Sequence, residues 1–173
     1  MKKAILIFSA IVMIAGLSTK TMAQATQTTS AGAKIVKALT ISEVVASAGL
    51  HFGTMTVPST AATVILAPAG TVSIGTGTIT LLAQAPTAHA ASYNVTGDNL
   101  ATYTITLPSA NVTLTSGANT MTVNTFTCSY GTNASTFSAS GTDSFTVGAK
   151  LNLASGQVAG TYSGSFDVTV AYN

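Results

Sequence analysis

The constraint that excludes most folds is a period of two near the carboxyl end. Phe145, Val147, Ala149, Leu151 and Leu153 fall on odd positions, and Ser144, Thr146, Gly148, Lys150 and Asn152 fall between them. Successive side chains of a strand point to opposite faces, whereas a helix repeats about every 3.6 residues, so this stretch buries its apolar set only as a half-buried strand. The final stretch repeats the pattern, with Tyr162, Phe166, Val168, Val170 and Tyr172 on one face and Thr161, Ser163, Ser165, Asp167 and Thr169 on the other. Its inner face carries neither Lys nor Glu and is suited to packing against a second sheet.

Elsewhere the apolar clusters are short and rich in Val, Ile, Thr, Phe and Tyr, and Gly, Asn, Asp, Ser or Pro bounds each of them, the punctuation of an antiparallel β protein. Further candidate strands are 34–42, 50–57, 63–66, 71–74, 78–82, 92–96, 102–107, 112–115 and 120–130. The expected fold is therefore all-β, an immunoglobulin-like antiparallel β-sandwich with Greek-key connections. Within 120–130 the apolar parity switches between Val123 and Phe126, which predicts a bulge. Gly97-Asp98-Asn99, Ser116-Gly117-Ala118-Asn119, Gly131-Thr132-Asn133 and Ser155-Gly156-Gln157 supply residues that tolerate positive φ at hairpin ends. Helix competes only at 41–48, where Glu43, Val44, Val45 and Ala46 can form one turn but no apolar stripe continues it.

The amino end has a different character. Lys2 and Lys3 precede an apolar run over 4–17 and the small-residue site Thr21-Met22-Ala23, the layout of a secretory signal peptide, so 1–23 is read as a leader and excluded from the fold. The run is shorter than the roughly 20 residues that span a bilayer, and no span is expected in the mature form. The expected organisation is a leader at 1–23, a flexible Thr/Ser-rich segment at 24–33 and one β-sandwich domain at 34–173. Export to the periplasm, cell surface or medium follows from the leader.

Removing Lys2, Lys3 and Lys20 leaves three lysines and no Arg against Glu43, Asp98, Asp143 and Asp167, a net charge of −1. Lys34, Lys37 and Lys150 are too few and too dispersed to neutralise phosphates, so nucleic acid is not an expected partner. Cys128 is the one cysteine, so no intrachain disulfide is available, and its place among Phe126 and Tyr130 reads as a small buried side chain.

The chemistry-bearing residues are sparse. Four carboxylates, two histidines and three lysines, widely spaced, name no acid and base pair, so the chain is expected to be non-enzymatic, with no catalytic, cofactor-binding or metal residues and no cofactor. His51 and His89 each lack a Cys, Asp or second His at metal spacing and read as structural or surface histidines. Gly75-Thr76-Gly77 lacks the further residues of a phosphate loop and reads as a turn. Asn94, Asn111 and Asn133 begin N-glycosylation sequons but read as ordinary strand and turn residues. A Lys to Asn crosslink needs a buried Lys beside a carboxylic acid, and Lys150 alternates with the core set.

Ala38-Leu39-Thr40-Ile41, Leu50-His51-Phe52-Gly53, Thr102-Tyr103-Thr104-Ile105-Thr106-Leu107, Met121-Thr122-Val123 and the ending from Ala159-Gly160-Thr161-Tyr162 to Val168-Thr169-Val170-Ala171-Tyr172-Asn173 resemble the exported bacterial family of domain of unknown function 4402 over essentially the whole mature chain. The Phe-Gly pair and the ending are more distantly similar to subunits of chaperone-usher pili of the spore-coat-U-like kind, incomplete immunoglobulin-like sandwiches that take a strand from a periplasmic chaperone and then from the next subunit. That resemblance implies a strand-exchange edge at Phe166, Val168, Val170 and Tyr172, since strand addition joins main-chain hydrogen bonds to alternate side chains in pockets. It implies as partners copies of the chain itself, other surface subunits and a chaperone.

The chain departs from the pilin pattern in having no paired cysteines and no Val, Ile, Leu, Phe or Met over 24–33. A donor segment beginning later would use Ile35, Leu39 and Ile41, with Lys37 interrupting the face. The simpler expectation is that 34–42 is the first strand of a complete sandwich. The expected function is a structural or adhesive surface protein, pilin-like in form. The alternative is a self-contained periplasmic or secreted binding module, for example for a glycan.

Overall fold

The structure, a computed structural model, describes residues 24–44 and 49–173. The expected leader, and 45–48 of the candidate helical turn, lie outside the described residues. Residues 24–34 form no strand and are exposed throughout. The compact unit is Ile35–Asn173.

Every regular element described there is a strand: β1 (Thr40–Glu43), β2 (Thr54–Met55), β3 (Ala62–Leu66), β4 (Val72–Thr76), β5 (Leu81–Leu82), β6 (Ala91–Thr96), β7 (Thr102–Thr106), β8 (Val112–Ser116), β9 (Asn119–Cys128), β10 (Ala134–Thr136), β11 (Thr142–Leu153) and β12 (Thr169–Tyr172). All pairings are antiparallel. The chain is all-β. Seven strands form one sheet in the order β1-β6-β11-β3-β4, with β9 also on β11 and β8 on β9. A three-stranded sheet runs β10-β7-β12, and β2 with β5 makes a separate ribbon.

The alternation at the carboxyl end makes β11 the spine. Its first half pairs with β6 and its second half with β3, and β9 pairs along Val147–Asn152. All five odd-numbered apolar residues of that stretch are buried, none more than 6 % exposed. They divide between two cores. Leu151 and Leu153 join Phe52, Val64, Leu66 and Val123 in the first core, partly under the β2–β5 ribbon. Phe145 and Val147 join Val95, Tyr103, Ile105 and Phe137 in the second, against the three-stranded sheet. Each large side chain so buried contributes roughly 1.5–3 kcal/mol, and the Tyr103 and Phe137 rings stack within the second core with centres 4.6 Å apart.

The predicted bulge is present. Gly148 pairs with Thr127 and Lys150 with Asn124, so Thr125 and Phe126 together face Ala149. Thr125 takes φ 52°. The extra residue resets the parity of β9, which lets Val123 and Cys128 both point inward. Gly117, Asn133 and Gly156 adopt positive φ at three of the predicted hairpin ends, and at the fourth Leu100 does so just beyond Asn99.

Several strands are shorter than expected. The strand expected over 34–42 begins only at Thr40, because its partner β6 ends at Thr96 and the ladder stops there. In 50–57 and 78–82 the ladder is two residues long, with a further bridge from His51 to His89. The last stretch divides: Ser163 bridges Thr115 in the large sheet, whereas Thr169–Tyr172 pairs with β7 in the small one. Gly164 sits at the crossing, where an added Cβ would lie 2.6 Å from the Thr113 oxygen and 2.8 Å from Leu114 Cδ2. The alternation persists through the crossing because Phe166 and Val168 still face the second core. The short strand β10 was not among the expected ones, since Ala134-Ser135-Thr136 lacks apolar alternation and is held by its pairing to β7.

Candidate functional site

Phe166, Val168, Val170 and Tyr172 lie in one row, all half-buried against the second core. Only the last two belong to a paired strand. Phe166 packs tilted on Phe126 with ring centres 4.9 Å apart. The Tyr172 hydroxyl accepts the Asp98 amide at 2.6 Å and donates to the Lys37 carbonyl at 2.9 Å.

The backbone of this row has one free side. The Asn173 amide donates to the Thr102 oxygen, so alternate residues of β12 bond to β7 while the N–H and C=O groups of Val170 and Tyr172 point away. β12 is the edge of its sheet, and no described strand pairs with it on that side, although β1 of the large sheet approaches it. β1 is likewise an edge: Val44 donates to the Ser92 oxygen, which turns the main chain of Ile41 and Glu43 outward. Leu39 and Ile41 from one edge and Val170 and Tyr172 from the other pack on the same core, so two unpaired edges flank it.

The first core is incompletely covered. A cavity of about 460 Å³ is lined by Met55, Leu114, Met121, Leu151 and Leu153 and by the segment from Gln157 to Tyr162, with no Asp, Glu or Lys in its wall. A second of about 370 Å³ shares Leu50, Phe52 and Leu114 with it and reaches Phe166.

Two groupings were not legible in the sequence. His51 and His89 exchange backbone hydrogen bonds of 2.9 and 2.8 Å, and their rings stack with centres 5.8 Å apart. His51 Nδ1 accepts the Gly53 amide at 2.9 Å, which in the neutral ring places the proton on Nε2. His89 Nδ1 lies 3.1 Å from the Thr87 oxygen, to which it donates. The two rings therefore do not offer a convergent pair of lone pairs, and no group of three His, Cys, Asp or Glu that could hold a metal occurs among the described residues. Only the pairing of the segments around β2 and β5 brings together residues 38 positions apart, and no local motif announces it.

Burial, with the neighbouring His89 imidazole, holds the His51 pKa below its ordinary value. A depressed histidine pKa gives stability that is complete above about pH 6.5 and lost as pH falls through the lower folded value. The stacked His89 ring, 5.8 Å away, adds to burial in disfavouring the charged form of His51. Lowering the pH from 7 to 5 is expected to reduce Tm more in the wild type than in His51→Gln, by about 2–4 °C. Calorimetry at the two pH values checks this, and equal losses would remove the pair from the account.

The second grouping centres on Asp143. Its Oδ2 accepts Tyr103 at 2.9 Å and Ser135 at 2.7 Å, and its Oδ1 accepts Tyr130 at 2.8 Å and the Ser144 amide at 2.8 Å. Burial alone would raise this carboxyl, but the bonds from Ser135, Tyr130, Ser144 and Tyr103 outweigh it and hold its pKa below the ordinary range. With all four lone-pair directions used, the group is a tie between β11 and the small sheet. Cys128 is buried, as expected, and its Sγ accepts the Tyr130 amide at 3.5 Å.

The sequence model of one family, described as Domain of unknown function (DUF4402), matches residues 39–172. The chain belongs to this family. The DUF4402 match runs from just before β1 to the end of β12 and so takes in both unpaired edges and both cores. It stops short of Ile35 and Val36. No curated protein and no solved structure matches the chain.

Proposed function

We propose that this DUF4402 chain is a non-enzymatic structural subunit of the bacterial surface, exported by its leader and assembled with copies of itself or related subunits by strand addition at β12. The observation that carries the proposal is the outward main chain of Val170 and Tyr172 on a strand whose side chains form an apolar row in the core. Edge strands of soluble proteins are commonly guarded by charge, Pro or a bulge, and residues 168–173 contain none of the first two. The incompletely covered first core and the pilin resemblance support the same reading.

The test is the oligomeric state of residues 24–173, measured by light scattering over a range of concentrations. Val170→Pro removes one outward N–H while leaving the bonds to β7 in place, a substitution that edge strands accommodate. Assembly by the native chain, at least about tenfold weaker in Val170→Pro with the fold retained by circular dichroism, is expected. A chain that stays monomeric at every concentration overturns the proposal and favours the binding-module alternative, for which the 460 Å³ cavity offers a place.

A further inference from the structure

We infer that β4, the last strand of the large sheet, pairs antiparallel with β4 of a second copy about a two-fold axis through Ser73, so that the two sheets run on as one. The backbone decides which groups are available. The Ala67 amide donates to the Thr71 oxygen at 2.9 Å, and the register that follows sets Leu66 opposite Val72, Ile65 opposite Ser73 and Val64 opposite Ile74. Bonded and unbonded pairs alternate along an antiparallel ladder. Thr71 and Ser73 therefore bond to β3, while the N–H and C=O groups of Val72 and Ile74 point outward, where no described strand pairs with them. Residues 73–76 are all exposed.

The occupant follows from the symmetry of this stretch. Pairing about Ser73 sets Val72 opposite Ile74 of the second copy and Ile74 opposite its Val72. Each such pair exchanges both of its hydrogen bonds, so every outward main-chain group of the two residues is used. The side chains match in the same register. Val72 and Ile74 share the face that covers the first core, where Val72 is partly buried and Ile74 is 44 % exposed because the sheet ends beside it. The second copy lays a Val72 over each Ile74. On the other face Ser73 meets Ser73, small and uncharged.

Nothing charged opposes the contact. Between Glu43 and Asp98 the sequence holds no Asp, Glu, Lys or Arg, and β4 has no Pro, so two of the devices that guard an edge are missing. The row through Ser73 continues to Ile65 and Lys150. The two lysines of a pair of copies then stand five strand spacings apart, about 24 Å, well past the roughly 8 Å over which charges escape screening by physiological salt. The register shift that leaves Gly75 unopposed lies beyond Ile74 and ends the matching stretch there. The contact is smaller than the roughly 1,600 Å² of a standard interface, so single copies join reversibly. Copies also chained through β12, on the reading above, are tied side by side by its repetition, since many weak contacts act together.

A cross-link reads the register. Directly opposed residues of an unbonded pair have Cα atoms about 4.5 Å apart, inside the roughly 4.4–6.8 Å that a disulfide spans. Residues 24–173 carrying Ser73→Cys, treated with diamide, are expected to form a linked pair at least about tenfold faster than Thr76→Cys, because the two Thr76 positions lie about 20 Å apart in this register. Cys128 is buried, and the native chain is the blank. Val170→Pro should leave this cross-link untouched, which separates failure at β12 from failure at β4. A second pair of variants needs no cysteine. In the Val170→Pro background, Ser73→Lys and Ser73→Glu should each weaken dimerisation about fivefold in sedimentation, since like charges face each other across the axis, and an equal mixture of the two should restore it. Equal rates for the two cysteine variants, or a mixture no tighter than its components, overturns the pairing and leaves β4 to a strand of another protein.

Discussion

Replacing Gly148 with Ala is expected to destabilise the domain by about 3 kcal/mol or more, the upper part of the range for overpacked interiors. For a chain of this size that corresponds to a fall in Tm of roughly 6–12 °C. Gly148 lies in the middle of β11. Its φ is not positive, so backbone conformation is not at stake. Space is. A Cβ there would overlap the Leu66 carbonyl oxygen and lie 2.7 Å from the Ala67 carbonyl carbon and 2.8 Å from the Pro68 nitrogen. These are backbone atoms of the turn that joins β3 to β4, and they cannot rotate aside. The strand pairings next to them, Ala149 with Leu66 and Val72 with Leu66, would have to shift together. Gly131, with nothing within 4 Å of an added Cβ, is the control, and Gly131→Ala should change stability by less than about 0.5 kcal/mol. Denaturant midpoints of the two variants check the contrast, and equal effects would show that the turn over Gly148 is free to move.

Gly148 also marks the limit of what the sequence conveys. Period two correctly sorts Phe145, Val147, Ala149, Leu151 and Leu153 to the core. It assigns Gly148 to the solvent face, yet Gly148 is buried, because alternation reports which face a residue takes and not what another part of the chain lays over that face. The bulge at Thr125 and Phe126 was legible because it leaves a trace in the parity itself. The division of the last stretch was not, since Tyr162, Phe166, Val168, Val170 and Tyr172 keep their alternation while the backbone changes sheets between Ser163 and Thr169. In the candidate site the row of side chains could be read, whereas the free side of β12 depends on which strands are neighbours. The pairing of His51 with His89 and the convergence of Tyr103, Tyr130 and Ser135 on Asp143 are likewise properties of register between distant segments.

The convergence on Asp143 leads to the other large effect. Asp143→Asn is expected to cost about 2–4 kcal/mol at neutral pH. The carboxylate accepts four hydrogen bonds, and an amide supplies one accepting atom and one donating group in the same shape. Whichever way the amide turns, two donors lose their acceptor. When these are Tyr103 and Ser135, the Tyr103 hydroxyl is stranded on a residue that is fully buried, and an unsatisfied buried donor costs about 1–3 kcal/mol, with more lost when the acceptor was charged. Tyr103→Phe removes the donor instead and should cost less, about 1 kcal/mol. The double variant should therefore be more stable than the sum of the single losses predicts. The effect has a definite pH dependence. Because Asp143 has its pKa depressed in the fold, its ionised form contributes stability that is complete above about pH 4 and is lost as pH falls through the lower folded value. The gap between wild type and Asp143→Asn should then be full at pH 7 and smaller at pH 3. Urea midpoints at the two pH values read it directly, and a gap unchanged in acid would mean that Asp143 acts by its shape and not by its charge.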